Sequence, residues 1–507
     1  MKKIYLLILM LCSTCFYADA HLITYKAPEG AVLNKDFSIS VREPGQRELF
    51  VPTYNVSVTE VAHTKNIIRN SSFGYFDFSG KVEIAVTYQR GPIHRVKIRP
   101  SKDGITFKVV GNTIVFSLTQ PRNISIEVNN DIFHNLQLFA NPIETEKPSD
   151  SDPNVIYYGP GIHQIGTLKI PSNKTIYIDG GAIVQGQLLV SGVNNVHIKG
   201  HGILTQWASM NSKNGSHVNS QKKGSDERND QITIEYSTNI DVSGLIVLPH
   251  KYSVLIGQSK NVNISSIKSF SSEGNADGID IFCSSDILID RVYMRNSDDC
   301  VAIYGHRWKY YGNTTNITVQ NSVLWADIAH PLLIGTHGDT SHPDTLEKIK
   351  FINVDILDQH ENQIDYQGCM ALNAGDSNLL RNITFDNIRI DDIRKGQLIN
   401  VRVMYNHKYN TSPGKGIENI YFKDISYNGN KANLSVISGY DETRTIKNVL
   451  FENLRINGKL ITDDMADKPV FYKTSDMANI LVGEYVEGIR FIQNTGPGDT
   501  KNSQVEK

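Results

Sequence analysis

Short β-type runs, each introduced by Asn or Asp and closed by a polar or glycine turn, recur along the chain after residue 155. Runs from residue 239 to residue 316 begin 22 to 30 residues apart, with no helical pattern between them. Such a period predicts a right-handed parallel β-helix, because one coil cannot bury its inner face without stacked neighbours. Examples are "NVHIKG" (195), "NIDVSGLIV" (239), "NVNISSI" (261), "DILIDRVYM" (286), "NITVQNSVLW" (316) and "NITFDNIRI" (382).

The part of the chain before this repeat has a different texture. Residues 21–143 contain short alternating strands such as "FSISVRE" and "KVEIAVTY", separated by Gly, Pro or Asn turns, which predicts an antiparallel β-sandwich. Residues 144–154, "ETEKPSDSDPN", are polar and predict a linker. The β-helix is predicted for residues 155–460, followed by a C-terminal cap or tail at 461–507, where the repeat is lost. The predicted fold class is all-β.

The first residues have the features of an export signal. Lys2 and Lys3 precede the apolar run Ile4–Cys12, and "ADA" ending at residue 20 is a small-residue cleavage site. The apolar run is too short to span a bilayer, and no later segment is long enough. We therefore expect residues 1–20 to be a signal peptide and the protein to be secreted or periplasmic, without a membrane span.

Composition narrows the range of partners. The formal net charge is -2, from 51 Lys and Arg against 53 Asp and Glu, without a block of like charge, so no nucleic-acid partner is expected. Cys283, Cys300 and Cys369 are odd in number and irregular in spacing, unlike a disulfide framework or a zinc site. We expect them to be buried as small apolar residues, with one bridge among them as the alternative. We expect a monomer that needs no cofactor.

Three carboxylates stand out in "NADGIDIFCSSDILIDRVYMRNSDDCVAI", residues 275–303. Asp277 sits beside a glycine, and Asp298 and Asp299 sit side by side before an apolar strand, where their mutual repulsion would not serve stability. Asp277 precedes the pair by 21 and 22 residues, close to one coil. A residue one coil later lies about 4.8 Å above its predecessor. The spacing therefore predicts that the three carboxylates meet in one groove.

Three interpretations of such a cluster remain open from spacing alone. Repulsion among the carboxylates raises at least one pKa, which leaves a protonated acid beside ionised bases. Glycoside hydrolysis with inversion needs that division of roles. Clustered Asp oxygens also suit a Ca²⁺ site, and Asp can simply cap turns, as Asp286 and Asp290 are expected to do.

The acid motifs resemble those of glycoside hydrolase family 28, the polygalacturonase family. "NADGIDI" resembles its NTDGxDI, and "NSDDCVAI" resembles its GDDC(I/V)AI. The stretch "AHPLLIG" aligns with the family's third motif and places His330 at the family histidine, with His337 as a second choice. The resemblance implies that Asp298 is the general acid, that Asp277 and Asp299 position and deprotonate a water, that His330 hydrogen-bonds a carboxylate or a sugar hydroxyl, and that no metal is needed.

The chain departs from family 28 where the uronate carboxylate is held. Polygalacturonases carry an Arg-Ile-Lys motif there, whereas this chain has Met370 and Leu372 near those positions, which argues against galacturonate in the cleavage subsite. A sandwich joined to a solenoid also resembles family 49, the dextranases and isopullulanase. The implied substrate is an α-linked poly- or oligosaccharide of pectin type or dextran type. Alternatives are a polysaccharide lyase on the same solenoid and a non-catalytic carbohydrate-binding β-helix.

An insertion, "YGHRWKYYGNTT", follows the catalytic strand and could form a cleft wall. Its Tyr304, His306, Arg307 and Trp308 suit sugar binding, since aromatic faces stack on sugars and Arg binds oxygen atoms. The alternative is a loop that packs its aromatic rings on the solenoid surface. Arg402, on a later coil, is predicted to add a lone cation to the groove.

Overall fold

The computed structural model describes residues 21–62, 65–206 and 229–494. The predicted signal peptide lies outside the described residues, and so does the end of the predicted tail from residue 495. Across the described part nearly every element is a strand, which confirms the all-β prediction. No helix in that part is long and apolar enough to cross a membrane.

Two sheets form the N-terminal sandwich. The first is ordered β1-β5-β11-β10-β7 with β4 paired to β5, and the second is ordered β3-β2-β6-β9-β8. Their apolar side chains face each other in one core, as alternating strands require. The strands are β1 (His21–Thr24), β2 (Phe37–Arg42), β3 (Leu49–Val51), β4 (Tyr54–Ala62), β5 (Lys65–Ser79), β6 (Val82–Tyr88), β7 (Val96–Arg99), β8 (Phe107–Val110), β9 (Thr113–Leu118), β10 (Arg122–Val128) and β11 (Asp131–Pro142).

The remaining strands form one 31-stranded sheet wound into a parallel β-helix, which confirms the predicted solenoid. Its ladders define three faces. The first face contains β12 (Val155–Tyr158), β14 (Thr175–Ile178), β16 (Asn194–Lys199), β19 (Thr238–Ser243), β22 (Lys260–Ser265), β25 (Ser285–Asp290), β28 (Thr314–Gln320), β31 (Thr345–Asp358), β33 (Leu379–Ile390), β35 (Gly416–Lys423), β38 (Ile446–Glu452) and β42 (Val486–Ile492).

The second and third faces complete each coil. The second contains β17 (Ile203–Thr205), β20 (Ile246–Leu248), β23 (Lys268–Phe270), β26 (Tyr293–Asn296), β29 (Val323–Ala326), the C-terminal parts of β31 and β33, β36 (Ser426–Tyr427) and β39 (Arg455–Ile456), with β40 (Lys459–Leu460) paired to its end. The third contains β18 (Ile232–Glu235), β21 (Val254–Gly257), β24 (Ile279–Phe282), β27 (Val301–Tyr304), β30 (Leu332–Gly335), β32 (Met370–Ala374), β34 (Ile399–Val403), β37 (Ser435–Ser438) and β41 (Ile480–Val482). At the N-terminal end, β13 (Gly161–Lys169) and β15 (Ala182–Ser191) each contribute to both of these faces.

Short helical turns interrupt the strands in three places. The described residues contain one α-helical turn, Thr474–Met477, and two 3₁₀ turns, Ser101–Asp103 and Ile364–Tyr366. The second 3₁₀ turn lies in the loop between β31 and β32, next to the candidate site described below. The three cysteines of the described residues are free and buried, as the composition predicts.

Side chains alternate along each strand, so one set fills the solenoid and the other points outward. The inner set forms a continuous apolar core along the axis. Near the C-terminal end this core includes a column of stacked phenylalanine rings, with neighbouring centroids 4.6 to 5.0 Å apart. The column consists of Phe351, Phe385, Phe422, Phe451 and Phe491.

The asparagines that lead the repeats form a hydrogen-bonded ladder. Asn195, Asn239 and Asn261 each donate from Nδ2 to Oδ1 of the asparagine one coil earlier, over 3.0, 3.0 and 2.7 Å. All three have positive φ, between 54° and 57°. Asn tolerates this left-handed conformation better than most residues, and its amide can both donate and accept along the column. These two properties explain why Asn opens so many repeats.

Replacing Asn261 by alanine should lower the free energy of unfolding by roughly 1–2 kcal/mol, because it loses a hydrogen bond and places a Cβ without compensation in the left-handed region. Urea unfolding would measure the change. Asn261→Gly is the matched control, since it loses the bond but tolerates the conformation, and should lose less stability. An alanine variant as stable as the wild type would contradict the ladder's contribution.

Each outer face of the solenoid has a different environment. On the first face, outward residues such as Thr318 and Lys350 are at least partly exposed. The second face is covered by the sandwich, where Phe73 stacks on Phe270 with ring centroids 5.9 Å apart. The third face is covered by loops that surround the predicted carboxylates. The sandwich therefore buttresses the side of the coils that leads into the site.

A buried ion pair lies at the contact between the sandwich and the second face. Arg295 donates from Nε to Asp327 at 3.0 Å, and both side chains are fully buried. From the sandwich, Asn135 and the carbonyl of Ile132 each accept from Arg295 at 2.9 Å. The guanidinium also lies 3.9 Å from the ring centroid of Trp325. Trp325 is thus buried, but against the sandwich and outside the solenoid core.

The predicted cap contains more solenoid than the sequence indicates. β41 pairs with β37 and β42 pairs with β38, both in parallel, so coils continue past residue 460. The repeat fades in the sequence because the segment 461–479 holds loops and a helical turn in place of a recognisable strand pattern. Within the described residues, the segment 461–494 therefore adds two ladder strands.

Candidate active site

The three predicted carboxylates meet at one edge of the third face. Asp277 precedes β24, and Asp298 and Asp299 precede β27. Ile279 pairs with Val301, so Asp277 lies level with Asp299 one coil below it. Carboxylate oxygens of the three residues lie within 4.8 Å of one another. The 22-residue spacing in the sequence is therefore the length of this coil.

The glycine after Asp277 is required by the close stacking of the coils. A Cβ at Gly278 would lie 2.2 Å from the carbonyl oxygen of Cys300 and 2.9 Å from Oδ1 of Asn296. The backbone N–H of Gly278 donates to the carbonyl of Asp299 at 2.7 Å. The Asp-Gly pair thus brings the two acidic turns into direct contact.

His330 and Tyr304 hold Asp299. The Oδ1 atom of Asp299 accepts from the His330 backbone N–H at 3.0 Å and from Nδ1 at 2.7 Å, and Oδ2 accepts from the Tyr304 hydroxyl at 3.1 Å. The other ring nitrogen, Nε2, donates to the carbonyl of Tyr366. Burial lowers the pKa of His330, but the charge of Asp299 outweighs it and the net pKa is raised. Both ring nitrogens face acceptor atoms, an arrangement that favours the protonated imidazolium.

Asp298 is the partly exposed member of the cluster. It accepts from the backbone N–H groups of Asp299 at 3.1 Å and Asn275 at 3.2 Å. Burial, followed by the charges of Asp299 and Glu361, raises the pKa of Asp298 to about 7. Asp298 can therefore carry a proton near neutral pH while still facing solvent.

Asp277 is more deeply buried, with 5% of its surface exposed. Burial, and then the charges of Asp280, Asp298 and Asp299, raise its pKa well above the ordinary value for aspartic acid, while Arg307 opposes the rise. Asp277 and Asp298 interact closely, so their protonation belongs to the cluster as a whole. The cluster thus retains protons to a higher pH than isolated carboxylates would.

Several predicted substrate residues lie beside these carboxylates. The Arg307 guanidinium sits 4.5 Å from the ring centroid of Trp308, whose surface is 43% exposed. The ring of His337 lies 5.1 Å from that of Tyr304. Burial, followed by the charge of Arg307, lowers the pKa of His337 well below its ordinary value. Arg307 and His337 therefore lie close to the cluster and its Tyr304, and Trp308 lies beside Arg307.

Three residues occupy different positions from those predicted. Tyr304 is only 3% exposed and contacts Asp299, so it cannot form an exposed wall. His306 bonds to Asp344 through its backbone N–H, and its ring packs on that of Tyr311, with centroids 4.1 Å apart. Arg402 is level with Asn373 and so lies three coils, or about 14 Å, along the face from Tyr304, and its guanidinium donates to the carbonyl of Asp365 at 3.1 Å. The positions of these side chains depend on the path of the loop and on the number of coils between two strands. A local sequence motif gives neither.

On β32, the strand of the next coil after His330, the residues that point outward also differ from those that the sequence alignment predicts. Met370 and Leu372 point into the solenoid core, whereas Ala371 and Asn373 point outward. Because side chains alternate, a one-residue slip in the alignment reverses the side of every residue. Neither outward residue is a cation.

Sequence reasoning missed Glu361 and the aromatic pair Tyr366 and Tyr409. Glu361 is buried and its charge acts on both Asp298 and His330. It follows β31 at the turn that corresponds to His330 one coil earlier. An alignment of the turn that contains His330 with the turn one coil later would have indicated Glu361. No motif in the sequence indicates Tyr366 or Tyr409.

Comparison with known proteins agrees with the motifs. The family described as "Glycosyl hydrolases family 28" matches residues 165–470, a range that includes all three carboxylates and His330. A probable endopolygalacturonase D of Emericella nidulans is 29% identical over 155 residues, which cover 30% of this chain and 27% of the relative. A polygalacturonase of Juniperus ashei is 24% identical over 260 residues, covering 49% and 47%. The chain thus spans less than half the length of these relatives.

Among solved structures, Dex49A from Penicillium minioluteum is similar at a TM-score of 0.49 and 12% identity, covering 92% of this chain and 96% of that one. The family match spans more than half of the chain and confirms the resemblance drawn from the acid motifs.

Proposed function

The chain belongs to glycosyl hydrolases family 28, and from this premise we propose that it hydrolyses an α-linked poly- or oligosaccharide of pectin type or dextran type. The observation that carries the proposal is the meeting of Asp277, Asp298 and Asp299 within 4.8 Å, with the pKa of Asp298 raised to about 7. A proton donor beside ionised carboxylates is the arrangement that glycosidic cleavage needs.

Asp298 acts as the general acid in this proposal. It is the member of the cluster that reaches solvent, so a glycosidic oxygen can approach it. Its raised pKa keeps the carboxyl protonated below about pH 7, and the proton passes to the leaving oxygen as the bond breaks.

Asp299 acts as the base that activates water. Three donors from His330 and Tyr304 surround its two oxygens, and such donors stabilise a negative charge there. Asp277 orients the water, because its raised pKa favours the protonated carboxyl, which cannot take a proton from water. Arg307 lies near enough to favour the ionised form of Asp277, and it also offers a donor to a sugar oxygen.

We propose inversion at the anomeric carbon. Typical inverting pairs are separated by about 6.5–9.5 Å and retaining pairs by about 5–5.5 Å. The nearest oxygens of these carboxylates lie within 4.8 Å. The stereochemical part of the proposal therefore rests on the family and not on the spacing.

The choice of sugar is argued from the lack of a cation on β32, whose outward residues are buried and uncharged. Ala371 and Asn373 provide no positive charge where a uronate carboxylate would need one, and Arg307 approaches the site from a different loop. A buried carboxylate needs a charged or multiple hydrogen-bond partner, so a coil without a cation at this point favours neutral sugars over uronates.

A substrate screen tests the proposed function directly. Purified protein would be incubated with galacturonan, rhamnogalacturonan, dextran and pullulan, and NMR would record the anomer of the first product. Release of the inverted anomer from one of these polymers is the expected result. Release of the retained anomer would overturn inversion alone, and no hydrolysis of any polymer would overturn the proposed function.

A polysaccharide lyase is the second candidate, because three clustered carboxylates could also hold a divalent cation. Lyase chemistry would use that cation and leave an unsaturated product that absorbs in the ultraviolet. We expect hydrolysis to continue at full rate in EDTA without ultraviolet absorption. Loss of activity in EDTA, restored by Ca²⁺, would favour the lyase.

The pH dependence follows from the acid. Because Asp298 must be protonated to act, kcat/KM should fall as pH rises through about 7. This decline in kcat/KM reflects the titration of the interacting carboxyls together, so it should extend over a wider pH range than the titration of one isolated carboxyl. Initial rates measured across the acid and neutral range would test this. A decline beginning near 3.8, the ordinary value, would show that Asp298 is not the acid.

Export is part of the proposal as well. A polysaccharide substrate is too large to reach an enzyme inside the cell, and the lysines, apolar run and "ADA" of residues 2–20 support passage to the periplasm or beyond. Sequencing the N-terminus of the natural protein should give a chain that begins at residue 21. A chain that retains Met1 would contradict export through this signal.

A further inference from the structure

The outward side of the third face is covered on both sides of the carboxylates. Alternation would leave six outward residues on consecutive coils available to a long substrate, but each is fully buried. The corresponding residues of the first face are at least partly exposed, so that face has no such cover. The six residues are Leu255, Phe282, Ala302, Leu333, Ala371 and Asn400.

One cover, which we call the front wall, is the loop of residues 305–312. It folds back over earlier coils, where Tyr310 donates to Glu235 at 2.7 Å and Lys309 pairs with Glu235 at 2.7 Å. The rings of Tyr310 and Trp308 pack on Phe282, with centroids 5.9 and 5.2 Å away. The front wall is therefore anchored at its far end by an ion pair and at its near end by ring contacts.

The other cover, which we call the back wall, is made by Tyr366 and Tyr409. Their rings stack with centroids 4.8 Å apart. Tyr409 donates to Gln363 at 3.0 Å, and the hydroxyls of Tyr366 and Thr336 lie 3.1 Å apart. Residues from three separate loops thus hold the two rings in place.

The back wall begins at the catalytic residues themselves. The carbonyl of Tyr366 accepts from His330, and the two rings meet edge to face with centroids 4.6 Å apart. The coil spacing of about 4.8 Å leaves no uncovered coil between them. A sugar unit therefore cannot lie on the third face beyond His330.

The two walls also approach each other over Tyr304. Arg307, from the front wall, lies 5.8 Å from the Tyr304 ring centroid, and His337 lies 5.1 Å from it on the other side. The His337 ring in turn lies 6.2 Å from that of Tyr409 in the back wall. Among the three carboxylates, only Asp298 remains partly exposed. Within the described residues, the two walls therefore cover the face around the cluster, and Asp298 is the carboxylate that solvent reaches.

We infer that the walls leave a pocket at Asp298 that receives the end of a sugar chain, so that the protein removes short units from chain ends and does not cleave inside a polymer. The inference rests on the proposed function, since it specifies how the same site is used. An internal bond could react only if sugar units extended along the face in both directions, and the back wall blocks one of them.

Product analysis tests the inference on the wild-type protein. With polygalacturonate and dextran as probes, the first products from whichever polymer is cleaved should be mono- or disaccharides, and viscosity should fall only slowly as reducing ends accumulate. Rapid viscosity loss with a ladder of oligosaccharides would overturn the inference and leave the proposed function intact. If neither polymer is cleaved, the same assay on their tetrasaccharides decides. Absence of any cleavage overturns the function, and the inference with it.

A variant of the back wall provides the second test. Tyr409→Ala removes one of the two stacked rings and should shift the first products towards longer oligosaccharides. Tyr405→Ala is the matched control, because Tyr405 lies on the same loop but packs on His407, 4.2 Å away between centroids. Its products should match those of the wild type. An unchanged product length in a folded Tyr409→Ala protein would show that the back wall does not limit the substrate.

Discussion

Replacing Asp298 by asparagine should reduce kcat by about 10²–10⁴-fold, the usual contribution of a general acid. The amide has the same shape as the carboxyl but cannot transfer a proton to the leaving oxygen. The change would be measured on the polymer identified by the substrate screen, with circular dichroism to check the fold. Asp286→Asn is the matched control, because Asp286 stands in the ladder where neighbouring coils carry Asn261 and Asn316, and it should keep full activity.

The same variant should also change how stability depends on pH. The pKa of Asp298 rises from 3.8 to about 7 on folding, so the folded protein holds a proton that the unfolded chain releases between these values. The free energy of unfolding of the wild type should therefore fall as pH rises through this window. Asp298→Asn cannot titrate, so it should lose that decline and be at least as stable as the wild type at pH 7. Retained activity, or a stability loss at pH 7, would remove the acid assignment.

Replacing Arg295 by alanine should destabilise the protein by about 3–5 kcal/mol, since it leaves Asp327 charged in a fully buried position. It also removes the partner of Asn135 and the carbonyl of Ile132, which belong to the sandwich. Arg394 still reaches Asp327, so the loss should lie near the lower end of that range. Guanidinium unfolding would measure it, and a separate early transition would indicate that the sandwich detaches first.

The control for Arg295 is an exposed arginine of the same coil. Arg291 pairs with Asp290, but 61% of its side chain is exposed, so Arg291→Ala should cost no more than about 1 kcal/mol. If both variants lost the same free energy of unfolding, burial of the Arg295 ion pair would make no difference to its contribution to stability. Because Arg295 lies three residues before Asp298, its loss should also lower activity before the protein unfolds.

The fold and the acidic cluster could be predicted because each depends on a period. Repeats led by Asn reveal the coils, and a ladder of αL asparagines explains that composition. Asp277 and Asp299 are separated by the same number of residues as Ile279 and Val301, which pair on neighbouring coils. The spacing in the sequence is therefore enough to place the carboxylates together.

The remaining parts of the site depend on contacts that a period does not encode. Met370 points into the core, and not outward as the sequence alignment predicts, because the alignment of this strand is one residue out of register. Insertions in the preceding loop shift the alignment, and strand alternation alone does not reveal the shift. The positions of His306 and Arg402 depend on contacts with Asp344 and Asp365 in other loops, which no local motif identifies. The back wall joins Tyr366 and Tyr409, which lie 43 residues apart and share no motif.

The phenylalanine column has a consequence for how the molecule loses order. Each ring contacts only the rings above and below it, so disruption at Phe491 is passed to Phe451 before it can reach deeper coils. Fraying should begin at the two tips of the rod and travel inward one winding at a time. β24, β27 and β30, which carry the acids and the histidine, sit midway along it. The candidate active site is thereby distant from both ends of the solenoid. Local unfolding of a terminal coil should leave the strand register at the site unchanged.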